Sequence, residues 1–289
     1  MSFQETIPPD GIIGEYRIER ALGRRGMCES YAAVHRSTGA RVQLEPHPFS
    51  DPTGNPPITR LLQRRALASS AVDHPAVLKL LDQGEWRGHA YLVWEWVDGE
   101  DLSLFVRHRR EVDWRTAVRI GGVVSDAMQV AHSRSVIHAD LNPLTLLLAR
   151  SPAIAGAPVK ILDFVYPEVA PRGDDRGEAM APFMGTPFFM SPEQVLGRRV
   201  DEYTDVYGLG AVLYYLLSRS FPHEGPGVAD VLQAIVTKEP PPIETRTGPL
   251  PPEMPSLLRR MMAKDPAQRP TMGAVATALR QLGDGRTTA

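Results

Sequence analysis

The chain has 289 residues, 43% hydrophobic and 23% charged. That is enough apolar material for one large or two-lobed core, and it argues against wholesale disorder. A formal net charge of −2 gives no general reason to expect a nucleic-acid partner, and a single cysteine, Cys28, excludes a disulfide framework and favours a reducing compartment. The opening MSFQETIPPD lacks the basic region and apolar run of a signal peptide, and the longest strongly apolar stretch, 209–217, is too short to span a bilayer. The expectation is a soluble, cytoplasmic chain without a membrane segment. The 27 prolines gather around 46–57, 167–182 and 240–255, as loops rather than one disordered tract.

In chain order, residues 16–22, 30–35 and 41–44 read as short strands separated by turn residues. A proline-rich loop follows. Thr59 is a plausible cap for a helix running to about Ala71, with Leu61, Leu62, Ala66 and Leu67 at helical spacing. Residues 77–81 and 90–96 read as two more strands, making a five-stranded antiparallel sheet with one main helix. Beyond Asp98 the pattern turns helical. Asp113 is a plausible N-cap, and Ala117, Ile120, Val124, Ala127, Met128 and Ala131 form an apolar stripe. Residues 206–217 are apolar nearly all round, as in a helix buried within a lobe, and 228–238, 254–263 and 272–282 are further helices. The fold class is α+β with two lobes: tail 1–14, small lobe 15–97, large lobe 98–283, tail 284–289.

The segments near the junction carry a more specific signal. They are Ile137-His138-Ala139-Asp140-Leu141-Asn142-Pro143, Ile161-Leu162-Asp163-Phe164, the run from Gly185 to Gln194, Asp205-Val206-Tyr207-Gly208-Leu209-Gly210, and Asp265-Pro266-Ala267-Gln268-Arg269-Pro270. In this order and spacing, from about Tyr16 to Leu282, the chain resembles the bacterial serine/threonine kinases of the eukaryotic-like type. The resemblance implies a protein-kinase-like bilobal fold and a phosphoryl-transfer site built on positioning and charge neutralisation. Such bacterial domains are often followed by a membrane anchor, so the chain is also consistent with a piece of a longer protein.

Carried over position by position, the resemblance implies many changed parts. In the glycine loop Gly23 is kept, but Arg25 and Cys28 stand where backbone must approach phosphate. Arg25 reads as a solvated loop arginine or as a phosphate-binding cation. Val42-Gln43-Leu44-Glu45 replaces the strand ending in lysine, and the helix glutamate position falls on Arg65, to within a turn. Glu95 and Val97 are the strand-end positions against the nucleotide. Asp140 retains the base position and Asp163 the main metal carboxylate. Ala139 replaces an arginine, Asn142 a lysine, Thr145 the second metal-binding asparagine, and Val165 a glycine. The stretch from Val165 to Gly185 carries no serine or threonine and only Tyr166 as a hydroxyl, so a phosphorylation switch and its arginine are missing together. Structural positions look intact: Glu193 and Arg269 as a buried ion pair, Asp205 holding the loop backbone, His138 packing.

The reading is a catalytically inactive kinase homologue, a pseudokinase, which binds ATP and magnesium weakly or not at all and acts as a binding, scaffolding or regulatory module. Its expected partner is a protein, an active kinase or its substrate, bound near 46–57 and the helix that follows. The alternative is an impaired or atypical transferase that uses Asp140 and Asp163. Glu45 and Arg65, both reversed in sign, are expected to form a salt bridge. The competing reading has Glu45 turn outward at a strand end before Pro46.

Overall fold

The computed structural model describes residues 7–25, 28–48, 66–87, 89–108, 112–151, 156–164, 187–245 and 248–285. The chain divides into two compact units. One comprises residues 1–70 and 78–97, and the other 71–77 and 98–289. Residues 71–77, which lie within the sequence span of the smaller unit, belong with the larger one.

The small unit is one antiparallel sheet of six strands in the order β1-β2-β3-β4-β6-β5. These are β1 (Ile12–Ile13), β2 (Tyr16–Arg25), β3 (Cys28–His35), β4 (Arg41–Pro48), β5 (Leu80–Trp86) and β6 (His89–Glu95). The expected five strands become six because Ile12 and Ile13 pair with Arg17 and Tyr16. Two assignments move. The strand expected over 77–81 is Leu80–Trp86, and Val77 makes only an isolated parallel bridge to Ile161. The strand expected to stop at Leu44 runs on to Pro48, so the start of the supposed proline loop is sheet. Leu44 is the last β4 residue paired with β3, and Pro46 and Pro48 lie beyond it, paired only with β6. A residue without an N–H is tolerated where one side of a strand needs no partner.

Strand periodicity places Ile13, Tyr16, Ile18, Tyr31, Ala33, Val42, Leu44, Tyr91 and Val93 in one buried cluster on one face. The opposite face of β4 is buried as well, by Gln43, Glu45 and His47. Residues 66–71 are helical, in keeping with the expected helix; its start, with Thr59 and Arg65, lies outside the described residues.

The large unit is mainly helical. Asp113 caps the Trp114–Ser133 helix by accepting the Thr116 N–H at 2.9 Å, as its sequence position suggests. The Glu202–Ser218 helix is buried at every position from Thr204 to Tyr214, which explains its weak amphipathicity. Helices Val228–Thr237, Glu253–Met261 and Met272–Gly283 complete the unit. A three-stranded sheet, β7 (Gly99–Asp101), β8 (Leu146–Ala149) and β9 (Val159–Ile161), runs in the order β7-β8-β9. Gly99 is required there, since a Cβ would collide with the carbonyl oxygen of Leu148 across the β7–β8 ladder. No helix among the described residues is long and apolar enough to cross a membrane.

Candidate functional site

In the large unit the β8–β9 pairing assembles the site. Leu146 opposes Ile161, so the residues before β8 meet those after β9. The Leu162 N–H donates to the Thr145 carbonyl at 2.9 Å, and His138 Nε2 bonds the Leu162 carbonyl at 2.6 Å. His138 is fully buried, its ring 4.9 Å from that of Phe164. Its Nδ1 accepts the Asp140 N–H at 3.2 Å, so the ring proton sits on Nε2 and the imidazole is neutral. His138 therefore packs and organises the loop.

Asp205, near the start of the buried helix, accepts the His138 N–H at 2.9 Å and the Ala139 N–H at 2.7 Å, while His132 Nε2 meets the same carboxylate at 2.9 Å. Two residues of the site adopt left-handed backbone, Ala139 with φ 61° and Asp163 with φ 63°. Such conformations cost about 1–3 kcal/mol in a non-glycine residue and persist only where surrounding contacts enforce them.

Asp140 is partly exposed, yet closely enough surrounded that burial raises its carboxyl pKa to about 6, against the opposing hydrogen bond from Asn142. The Asn142 amide nitrogen donates to Asp140 Oδ1 at 2.9 Å and to the Asp140 carbonyl at 3.0 Å, and its oxygen accepts the Leu144 N–H. The Thr145 hydroxyl accepts the Asn142 N–H at 3.1 Å and lies 3.1 and 3.0 Å from the carbonyls of Asp140 and Asn142. Both side chains are thus turned into the loop and hold it.

Glu193 and Arg269 form a buried bidentate pair with N–O distances of 2.7 and 2.8 Å. Thr204 Oγ1 donates to the same carboxylate at 2.8 Å, and the guanidinium also donates to the carbonyls of Ala263 and Tyr203. Burial pushes the Glu193 carboxyl up, and Arg269 with these hydrogen bonds outweighs it, so the group lies below its usual value.

In the small unit Gly23 has φ 103°, a conformation only glycine adopts readily, and Arg25 pairs with Cys28 where β2 meets β3. The side chains of Arg25 and Cys28, with Gly26 and Met27, lie outside the description. Glu45 is buried at 4% exposure and does not turn outward as the competing reading had it. Gln43 Nε2 donates to Glu45 Oε1 at 2.9 Å, and His47 Nε2 lies 3.8 Å from Oε2. These three residues alternate along β4 and share one face. Gln43 opposes Ala32 on one neighbour and Trp94 on the other, so Ala32, Gln43 and Trp94 form a buried row across that face. Glu95 closes β6 and accepts the Lys79 N–H at 2.9 Å; Val97 ends the small unit. The expected Glu45–Arg65 pair falls on Arg65, outside the described residues. Gln43 and Gln194 lie within the quoted motifs, but the sequence reading assigns neither a role of its own. Their signals are the polar period of two with Glu45 and the Ser191-to-Gln194 capping-box spacing.

A protein kinase domain profile matches residues 16–280. Among curated relatives, the serine/threonine-protein kinase Pkn1 of Myxococcus xanthus is 33% identical over 262 residues, covering 89% of this chain and 36% of its own length. The serine/threonine-protein kinase pkn3 of Myxococcus xanthus is 33% identical over 266 residues, covering 89% of this chain and 47% of its own. The chain thus spans between about a third and a half of those relatives. The crystal structure of the Mycobacterium tuberculosis PknI kinase domain, solved as a double mutant, superposes with a TM-score of 0.72 at 22% identity, over 96% of this chain and all of that one, a likeness of fold. With the profile running through both units, from the first long strand to the last helix, the chain belongs to the protein kinase domain family.

Proposed function

We propose that this chain is a pseudokinase: a kinase-fold binding module that engages a protein partner and does not turn over ATP. The observation that carries this reading is the buried carboxylate of Glu45, held by Gln43, where the family resemblance implies a phosphate-binding lysine. A unit charge at about 4 Å is worth at most roughly 4 kcal/mol at an effective dielectric of about 20, so replacing a cation there weakens phosphate binding by up to about a thousandfold. The neighbouring row supports the same conclusion. A nucleotide reaching from Glu95 and Val97 to position 45 runs along the sheet face that Gln43 and Trp94 fill with side chains of their own. Asp163 keeps the main metal carboxylate, but two other positions support weak or absent binding of ATP and magnesium, the cofactors the resemblance implies. Thr145, at the second metal position, spends its hydroxyl on loop backbone, and Asn142 spends its amide on Asp140.

The reading expects the partner surface on the small unit, near residues 46–57 and the helix that follows; Leu67 on the 66–71 helix is 65% exposed, and Leu81 on β5 is 55% exposed. Residues 49–65 of the proposed surface lie outside the described residues. Pull-downs with Leu67→Glu and Leu81→Glu test the placement; it fails if the captured proteins are unchanged from wild type.

A second reading, an atypical transferase, is favoured by one observation: the Asp140 carboxyl, raised to about 6, lies near the working range of a general base. One experiment separates the two. Purified protein is titrated with millimolar Mg·ATP while its melting temperature and turnover are followed. The pseudokinase reading expects neither a shift of several degrees nor turnover. Turnover abolished by Asp140→Asn establishes the transferase instead.

A further inference from the structure

The Gln194 side chain joins two segments 55 residues apart in sequence. Its Oε1 accepts both the Ser191 N–H at 2.9 Å and the Ser191 hydroxyl at 3.1 Å. A backbone N–H only donates, so the oxygen of the amide must face Ser191 and the nitrogen must face the other way. That nitrogen, Nε2, meets the Ala139 carbonyl at 2.6 Å. The amide orientation is therefore dictated by its partners at both ends.

Ala139 is held from both sides. Its N–H is taken by Asp205 and its carbonyl by Gln194, while its φ of 61° needs such enforcement. Its methyl group provides no polar anchor. The Gln194 end is fixed in turn. Ser191 and Gln194 form a complete capping box at the Pro192–Val195 helix, and Glu193, between them, is locked to Arg269. Behind the loop, the Glu202–Ser218 helix comes so close that a Cβ on Gly208 would lie 3.1 Å from the Leu141 carbonyl oxygen.

We propose that Gln194 is a positioning residue that latches the Ala139–Asp140 loop to the Ser191–Gln194 cap, holding it assembled through neutral hydrogen bonds and without a phosphorylated residue. The latch acts through backbone, so it holds Asp140 in place whether Asp140 transfers phosphoryl groups or only orders the loop. The inference does not rest on the pseudokinase reading.

Hydrogen exchange followed by mass spectrometry tests it with two variants. Gln194→Glu removes the donor to Ala139 while keeping an acceptor for Ser191, and Ser191→Ala weakens the cap while keeping the latch. Gln194→Glu is expected to speed exchange across residues 138–142 roughly five- to tenfold, the worth of one such bond, with the Glu202–Ser218 helix unaffected. Ser191→Ala is expected to leave residues 138–142 near wild type. Equal exchange in Gln194→Glu and wild type, or equal loosening of the loop in both variants, overturns the proposal. If Gln194→Glu does not fold, the wild type alone decides. A through-bond NMR coupling between Gln194 Nε2 and the Ala139 carbonyl is expected, and its absence is equally fatal. Incubation with an active kinase and ATP is expected to leave exchange at residues 138–142 unchanged; protection gained with incorporated phosphate overturns independence from phosphorylation.

Discussion

Asp140 and His223 oppose each other over the same pH range. A carboxyl raised to about 6 keeps its proton in the folded state after the unfolded chain has lost it. Its contribution to stability is therefore full below pH 4 and is lost as pH climbs from about 4 to 6. His223 is buried, accepts from Lys264 Nζ at 3.3 Å, and is lowered to about 4, by burial first and then by the lysine charges. The unfolded chain takes up that proton first on acidification, so its contribution falls as pH drops from about 6.5 to 4. Asp140→Asn should stabilise the protein at pH 7.5 by about 2 kcal/mol, discounted for partial exposure, and should steepen the loss of stability in acid. His223→Gln, which retains an acceptor for Lys264, should flatten that loss. Urea midpoints at pH 4.5, 6 and 7.5 for both variants check the signs; parallel curves for the variants and wild type contradict them.

Local elements are held by contacts that bridge them. Removing one partner of the Glu193–Arg269 pair leaves the other buried and unpaired, and Arg269→Ala should cost about 3–5 kcal/mol in chemical denaturation. Thr204→Val deletes one hydrogen bond to the same carboxylate and should cost about 1 kcal/mol. The double variant should lose less than the sum, since the hydroxyl serves a carboxylate already stranded; additive losses refute shared action. Gly99→Ala should cost about 1–3 kcal/mol because its methyl meets the Leu148 carbonyl in the ladder that positions β8. Hydrogen exchange should then rise first at β7 and β8, and an effect confined to other elements would contradict the account.

For the chain as a functional unit, the expectation is recognition without turnover. Mass spectrometry after incubation with an active relative and ATP should find no gain of kinase activity with any phosphate incorporated, because Asn142 and Thr145 are committed to the loop and Ala139 has no cation for a phosphate. Activity appearing together with stoichiometric phosphate on Thr186 or Tyr166 refutes this. Restoring the charge with Glu45→Lys alone should not produce a melting shift with Mg·ATP, since Gln43 and Trp94 still fill the sheet face. A shift of several degrees in that single variant removes the role given to those two residues.

Periodicity and caps made much of this legible in advance. The apolar stripe behind Asp113, the all-round apolar run after Asp205, and the five motifs in order led to the two-lobed kinase fold, because helix faces and cap chemistry are local properties. Strand limits were less legible. Pro46 and Pro48 read as a loop, and only the end of β3 pairing at Leu44 explains why they remain in the sheet. Glu45 could be identified as a changed position, but whether it faced outward or inward depended on β6 and on Gln43 two residues away. The Ser191-to-Gln194 spacing is a local capping-box signal, yet the second partner of Gln194, the Ala139 carbonyl, is 55 residues earlier in the chain. Local hydrogen-bonding preference is written in neighbouring residues. A side chain that bridges two loops acquires its partner only when the Asp205 helix, the β8–β9 pair and the Ser191 cap converge, and that convergence is a property of packing.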